Sequence, residues 1–325
     1  MNKEQLNESL GFLFRPNGEL QIIIYAITDG SEEPQKLDIK QEDLPTFKTL
    51  FINSVKYSII DKTDFVVLPL STADERGKAF YQYDLEIPEK LQLLESVVGN
   101  DTLSNFNLQQ KKFSDIKSLL IVLADNDNEV TLYKNVSPIE VIGRGGNLIR
   151  KSNQRLEIFD DELLRISSKF QVLRVQNEII IIDLPSIEKS FGIHDVIIRE
   201  ASVSLDVISR TNIVQNIESL TELLNDVTFA RKLTKVARSS PVLRLGISNS
   251  DIVAFAKSHP LTKKKIRWNA EENQFNLDTR VSKDLFIKIL NDDLLTSELT
   301  KLYYDTLAKD GIEIEEDNEE LQNEE

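Results

Sequence analysis

Apolar residues in the first 185 positions occur in short runs that are separated by polar turns. Four consecutive isoleucines at 179–182 follow a strand-like segment at 170–175, with a polar turn at 176–178 between them. β-Branched side chains favour an extended backbone, and an unbroken apolar run is typical of a strand that is buried on both faces. Similar runs at 119–123 and 130–136 predict another hairpin.

Two more strand pairs are expected closer to the N-terminus. An Asn-Gly dipeptide at 17–18 separates apolar residues 10–15 from residues 20–28, and this dipeptide between apolar runs is a strong hairpin signal. Residues 65–70 and 80–85 also have the composition of paired strands joined by a polar loop. The N-terminal region is therefore predicted to be rich in β-structure.

Beyond residue 185 the spacing of apolar residues becomes helical. Ser186 is the predicted N-cap of a short helix that ends at Gly192, and a longer helix follows. A short hairpin is predicted from residues 266–268 and 275–277. The other predicted helices lie at residues 213–225, 227–238, 249–258 and 281–307.

The two patterns meet at a glycine-rich segment, residues 143–146, where we place a domain boundary. The predicted fold class is α+β. A β-rich N-terminal α+β domain over 1–145 precedes a mixed strand and helix domain over 146–312. The tail at 313–325 has eight acidic and no basic residues, and closely spaced like charges with few apolar residues predict disorder.

The composition favours a cytoplasmic protein. The chain of 325 residues has no cysteine, which excludes disulfides, thiolate nucleophiles and cysteine-ligated zinc. No apolar run approaches the roughly 20 residues that span a bilayer, and residues 1–14 are too polar and acidic for a signal peptide. We therefore expect a cytoplasmic location.

Positive charge is concentrated in one segment of an acidic chain. The net charge is −15, yet residues 227–267 contain ten Lys or Arg and a single acidic residue, Asp251. On the helix predicted at 227–238, Arg231, Lys235 and Arg238 follow one face while apolar residues follow the other. This segment is predicted to contact the phosphates of double-stranded DNA. The candidate DNA-binding residues are Arg231, Lys232, Lys235, Arg238, Lys263, Lys264, Lys265 and Arg267.

The same cations have a second interpretation, as surface residues that pair with the protein's own acidic excess. The chain has 54 acidic residues, enough to neutralise ten cations, and the tail at 313–325 is one candidate partner. A third interpretation is a basic face that docks on an acidic protein or on anionic lipid. The residues alone leave these three interpretations open.

Few residues are suited to metal or acid–base chemistry. His194 and His259 are far apart in sequence, and each is expected in a loop or a cap. Asp183 follows the isoleucine run, and Asp292 and Asp293 form an acidic pair of the kind that a magnesium-dependent nuclease uses. Adjacent helix residues point about 100° apart, so the pair would not chelate one ion unaided. We predict no catalytic residue, no metal site and no cofactor, with the nuclease as the alternative.

The glycine-rich segment at 143–146 superficially resembles a phosphate-binding loop. It lacks the Lys-Ser/Thr pair of a P-loop and the G-x-G-x-x-G spacing, so a flexible linker is expected. The basic residues around it, Arg144, Arg150, Lys151 and Arg155, are further candidates for contacts to a phosphate backbone.

Two segments resemble a known family. The sequence LNDDLLTSELT at 290–300, followed by Tyr303 or Tyr304 and by Leu307-Ala308-Lys309, resembles the C-terminal signature of the B subunit of Kiwa, a two-gene bacterial anti-phage defence system. The central segment is similar to the same family at Phe170, at residues 179–183, at Glu188 and at Phe191-Gly192. The resemblance covers roughly residues 120–310.

The resemblance implies a non-enzymatic defence effector. It implies a soluble protein that binds DNA, works with a small polytopic membrane subunit of the same system and interferes with phage DNA replication and late transcription. The signature residues are not the basic ones, so the assignment of residues 231–267 to DNA contact rests on charge alone. A homodimer or a larger assembly that aligns basic patches would reconcile DNA binding with the acidic balance.

Overall fold

The structure is a computed structural model. It describes residues 1–16, 19–30, 33–72, 78–99, 102–142, 148–152, 155–159, 161–188, 191–269, 273–296 and 303–305. The predicted linker at 143–146 and the predicted disordered tail at 313–325 lie outside the described residues.

The helices are distributed along the whole described chain. They are α1 (Lys3–Leu10), α2 (Leu44–Val55), α3 (Glu89–Ser96), α4 (Leu184–Ile187), α5 (Ile193–Arg210), α6 (Glu218–Thr221), α7 (Val227–Ser239), α8 (Pro241–Arg244), α9 (Asn249–Ser258) and α10 (Arg280–Leu290). Within the described segments, no helix is long and apolar enough to cross a membrane.

The longer strands lie before residue 185. The strands are β1 (Gln21–Thr28), β2 (Gln35–Lys36), β3 (Val66–Pro69), β4 (Ala79–Gln82), β5 (Ile116–Ala124), β6 (Glu129–Asn135), β7 (Val141–Ile142), β8 (Leu148–Ser152), β9 (Arg155–Phe159), β10 (Leu163–Leu164), β11 (Val172–Val175), β12 (Glu178–Ile181), β13 (Arg267–Asn269), β14 (Gln274–Asn276), β15 (Leu294–Thr296) and β16 (Tyr303–Asp305). Together with the helices, they confirm the predicted α+β class.

The chain divides into two compact units. The first unit comprises Met1–Val203 with Leu224–Thr234, and the second comprises Ser204–Leu223 with Lys235–Glu325. Both α5 and α7 contribute residues to each unit. The predicted domain limits, 1–145 and 146–312, stay a prediction that limited proteolysis can test.

The first unit contains an eight-stranded sheet with the strand order β2-β1-β5-β6-β11-β12-β4-β3. All neighbouring strands are antiparallel except β3 and β4, which are parallel. One face packs on α1, α2 and the 3-10 turn Gly11–Phe14, where Leu6, Leu10 and Phe51 are fully buried. The apolar residues on this face of the sheet therefore meet a helical layer.

The other face of this sheet is buried as well. Leu120, Tyr133, Val172 and Ile181 lie side by side across four strands, because each is the register partner of the next. The ring of Tyr133 lies 4.6 Å from that of Phe191, just before α5. Burial on both faces explains the four consecutive isoleucines and confirms their predicted strand.

The turn between β11 and β12 has the backbone that a two-residue hairpin needs. Gln176 and Asn177 have positive φ angles of 49° and 66°, which match the right-handed twist of the flanking strands. The side-chain oxygen of Asn177 accepts a hydrogen bond of 2.7 Å from Arg174. The predicted hairpin at this turn is confirmed, as is the one formed by β5 and β6.

Four local predictions were wrong. The predicted N-cap Ser186 lies inside α4, and the helix predicted at 213–225 is limited to α6, Glu218–Thr221. Residues 10–15 do not form a strand: α1 ends at Leu10 and a 3-10 turn, Gly11–Phe14, follows. In this turn Phe12 and Leu13 are buried in the core of the first unit, so the apolar residues of the segment pack against the sheet without joining it. The helix predicted at 281–307 ends at Leu290, and β15 follows at residue 294.

A buried ion pair lies at one end of the sheet. Lys134 on β6 is 2% exposed, and its Nζ lies 2.9 Å from Oε1 of Glu140 and 2.8 Å from Oγ of Ser167. Burial alone would raise the pKa of Glu140, but hydrogen bonds from Ser167, Lys134 and the Ser137 amide lower this pKa overall. The buried ammonium group of Lys134 is therefore neutralised by the ionised carboxylate of Glu140.

The second unit is built around a small apolar core. Its fully buried residues include Phe275 on β14 and Phe286 on α10, whose rings lie 5.6 Å apart. The predicted hairpin at 266–268 and 275–277 is confirmed as β13 and β14, in which Trp268 is the register partner of Phe275. This hairpin lies between α9 and α10, and residues 259–266 connect α9 to its first strand.

Candidate nucleic-acid interface

Helix α7 separates cations from apolar residues, as the sequence pattern predicts. Phe229, Leu233 and Val236 are fully buried, whereas Arg238 is exposed and Lys235 is partly buried. Residues three or four positions apart share one face of a helix, so the apolar stripe enters the core and leaves the cations on the remaining surface.

Arg231 on this helix is part of an ion pair within the first unit. Its guanidinium contacts the carboxylate of Glu188, and both side chains are largely buried, at 24% and 17% exposure. The same carboxylate lies 3.5 Å from Nε2 of His194. The candidate DNA-binding residue Arg231 therefore forms an ion pair inside the protein. Its neighbour Lys232, also a candidate, is partly buried.

Substitution of Arg231 by Met is expected to lower the free energy of unfolding by about 1–3 kcal/mol, because the largely buried Glu188 carboxylate loses its ion-pair partner. Substitution of the exposed Arg165, in the same unit, by Met is the matched control, with an expected change within about 0.5 kcal/mol. Urea denaturation monitored by circular dichroism measures both. Equal losses in the two variants would contradict a structural role for Arg231.

The basic loop, which we define as residues Lys263–Arg267, lies between α9 and α10 in the second unit. Its lysines Lys263, Lys264 and Lys265 are exposed, and so is Arg267. Within the described part of the chain, none of the three lysines forms an ion pair, while Arg267 lies 3.5 Å from Asp278. The basic loop therefore offers several solvated cations within five residues.

Buried neighbours hold the lysines of this loop outward. Thr262 is fully buried, and its hydroxyl donates to the carbonyl oxygen of Ala256 over 2.7 Å. The amide of Ile266, a residue that is 3% exposed, donates to the carbonyl oxygen of Thr262 over 3.0 Å. With Thr262 and Ile266 directed into the core, the three residues between them face solvent.

The end of α9 adds to this anchoring. His259 is its C-cap, stacks on Phe255 at 5.2 Å and accepts at its carbonyl from the amide of Lys263. Burial lowers the pKa of His259, so its imidazole is neutral at pH 7. The sequence prediction of a capping role for this histidine is confirmed.

The carboxylates considered for a metal site have structural contacts. Asp183, and not Ser186, is the N-cap of α4: its side chain accepts from the Ser186 amide and, at 2.6 Å, from the Ser186 hydroxyl. Asp293 is 4% exposed, and Asp292 has a positive φ of 55° just after α10. In the segments that the structure describes, no group of three or more His, Asp or Glu side chains is placed to hold a metal ion.

The other basic candidates belong to the antiparallel ribbon of β8 and β9. Lys151 and Arg155 are exposed there, and Ile149, Leu156 and Ile158 on the same ribbon are exposed as well. Arg144 lies outside the described residues.

Sequence reasoning missed two residues that shape the basic loop. Thr262 gives no charge or periodicity signal, so its anchoring role was not predictable from pattern. Asp278 is recognisable only as an acid before a capping box, in which the hydroxyl of Thr279 accepts from the amide of Ser282. Its contact with Arg267 depends on the pairing of β13 with β14.

Comparison with known proteins places the chain in a family. A family model described as Kiwa protein KwaB-like matches residues 113–300, more than half of the chain. Kiwa protein KwaB of Escherichia coli O55:H7 (strain RM12579 / EPEC) is 24% identical over 318 residues, which cover 96% of this chain and all of the E. coli protein. No solved structure matches.

The matched region contains the central segment and most of the C-terminal signature on which the resemblance rested. The alignment with the E. coli protein also extends the similarity into the N-terminal region, where no motif was recognised from sequence. The chain therefore belongs to the Kiwa KwaB-like family, and this membership supports a role in anti-phage defence.

Proposed function

We propose that this protein is a non-enzymatic defence effector that binds double-stranded DNA through phosphate contacts. The observation that carries the proposal is the basic loop, whose cations are exposed in a chain with a net charge of −15. Lysine and arginine contacts to phosphates position a protein on a duplex without reading its sequence. The expected binding is therefore independent of sequence.

The acidic balance of the chain opposes DNA binding at long range, whereas the basic loop attracts a phosphate at short range. A homodimer that places two basic loops along one duplex would double the number of contacts. This assembly is part of the proposal, and its support is electrostatic. Sedimentation of the protein with and without duplex DNA tests it.

The proposal also includes a membrane-embedded subunit of the same defence system, which recruits this protein from the cytoplasm to the inner membrane. The assembly then blocks phage DNA replication or late transcription. The support is the resemblance to the Kiwa family, since the described surface does not identify the contact. Co-purification with the membrane subunit tests this part independently of DNA.

The first experiment is a gel shift of linear duplex DNA with the purified full chain at two salt concentrations, with and without Mg²⁺. We expect retention of intact DNA that weakens steeply with salt, with a slope near −0.9 for each phosphate neutralised. Retention that is insensitive to salt would contradict phosphate-based binding.

Two other outcomes would favour the alternatives. Cleavage of the DNA only in the Mg²⁺ lanes, lost on Asp183→Ala, would establish a magnesium-dependent nuclease. Absence of retention at low salt would favour a scaffold protein that docks on the membrane subunit or on anionic lipid without DNA. Sedimentation with liposomes that contain anionic lipid distinguishes these last two partners.

A further inference from the structure

A cleft in the second unit lies directly beside the basic loop. Its volume is about 470 Å³, within the range of sites that bind small ligands. The residues that line it are Lys264, Lys265, Arg267, Asn276, Asp278, Thr279, Val281 and Ser282. Lys263 is exposed next to them but is not part of this lining.

Strand pairing brings the two sides of the cleft together. Arg267 on β13 is the register partner of Asn276 on β14, and Asp278 follows two residues later. The hydroxyl group of Thr279 then caps α10, accepting from the Ser282 amide over 3.1 Å. Residues of the basic loop therefore face the start of a helix of 11 residues.

The charges of the cleft favour an anion. Three cations and one carboxylate line it, and that carboxylate, Asp278, lies 3.5 Å from Arg267. The charges of Lys264 and Lys265 remain without an ion-pair partner among the described residues. The positive end of the α10 dipole adds to their potential.

We propose that this cleft seats one phosphate group of bound DNA between Lys264 and Lys265, and that Asp278 competes with this phosphate for Arg267. The proposal rests on the DNA binding proposed above and names the residues that contact the backbone at one position. The proposal predicts that Lys264 and Lys265 contribute more to DNA affinity than Lys263, although all three are neighbours in sequence and all are exposed.

Single substitutions separate the cleft from a general effect of charge. We expect Lys264→Gln and Lys265→Gln each to weaken binding of a short duplex about tenfold and to reduce the salt slope by about 0.9. Lys263→Gln removes the same charge outside the cleft and is expected to weaken binding less than about threefold. Fluorescence anisotropy over a salt series measures affinity and slope together.

Asp278 provides a test of opposite sign. Asp278→Asn removes the competing carboxylate, so we expect duplex affinity to rise severalfold. Asp206→Asn makes the same change of charge at an exposed position of α5 in the same unit, and we expect it to change affinity less than about twofold. Thermal unfolding of each variant checks that the fold is retained.

The outcomes distinguish this proposal from the proposed function. If the wild-type chain binds duplex DNA and all three lysine variants lower its affinity equally, the proposed phosphate site in the cleft is wrong, whereas the proposed binding through phosphate contacts is retained. An Asp278→Asn variant with no more affinity than Asp206→Asn would overturn the competition with Arg267. If the wild-type chain does not bind duplex DNA at low salt, both proposals fail.

Discussion

Charge reversal of Lys263, Lys264 and Lys265 to Glu is expected to lower affinity for duplex DNA on the order of 100-fold and to flatten the salt slope by about 1.8, mainly through the two lysines that line the cleft. The three side chains are solvated and held outward by Thr262 and Ile266, so the substitution removes phosphate contacts without opening the core. Because phosphate contacts do not depend on base sequence, the loss should be the same for unrelated duplexes.

A second triple variant controls for total charge. Lys40, Lys56 and Lys169 are exposed in the first unit, and their substitution by Glu changes the net charge of the chain by the same amount. We expect only a small loss of affinity, because none of these three lysines belongs to the basic loop. Equal losses in the two triple variants would contradict the assignment of DNA contact to the basic loop.

The largest expected effect on stability comes from Glu140→Gln. This substitution leaves the Lys134 ammonium group buried with no opposite charge, and removal of one partner of a buried ion pair costs about 3–5 kcal/mol. Glu42→Gln is the matched control, because Glu42 is 77% exposed and lies 3.8 Å from Lys40. A surface pair of this kind contributes at most about 1 kcal/mol. Urea denaturation at pH 7 measures both differences.

The contribution of Glu140 should depend on pH. Its pKa in the folded protein is below its ordinary value of 4.5, so the ionised form is favoured by folding. The stabilisation is therefore present above pH 4.5 and is lost as the pH falls through the folded pKa. We expect the difference between wild type and Glu140→Gln to shrink below pH 4.5. A loss of less than 1 kcal/mol at pH 7 would contradict the proposed importance of this pair.

Local sequence pattern determined much of the fold. The isoleucine run, the strand pairs around it and the amphipathic helix α7 were readable because side-chain period and turn residues depend only on near neighbours. The hairpin expected around residues 17–18 was wrong because residues 11–14 form a 3-10 turn whose Phe12 and Leu13 are buried in the core of the first unit. A strong turn signal does not decide whether the preceding segment is a strand.

The helix predicted at 281–307 also shows that local pattern does not fix where an element ends, because α10 ends at Leu290. Asn291 caps α10, and Asp292 adopts the left-handed conformation that ends the helix. Asn and Asp both adopt this conformation more readily than other residues, but the apolar spacing that predicted the helix carries no information on backbone φ.

The concentration of cations at residues 227–267 and the resemblance to the Kiwa family were recognisable without coordinates, because charges and signature residues can be counted along a chain. Which of these cations are exposed to solvent depends on the folded structure. Arg231 contacts Glu188, 43 positions away, whereas Thr262 and Ile266 hold the lysines of the basic loop in solvent. The physical reason is that burial and ion pairing depend on partners that are distant in sequence and close only after folding.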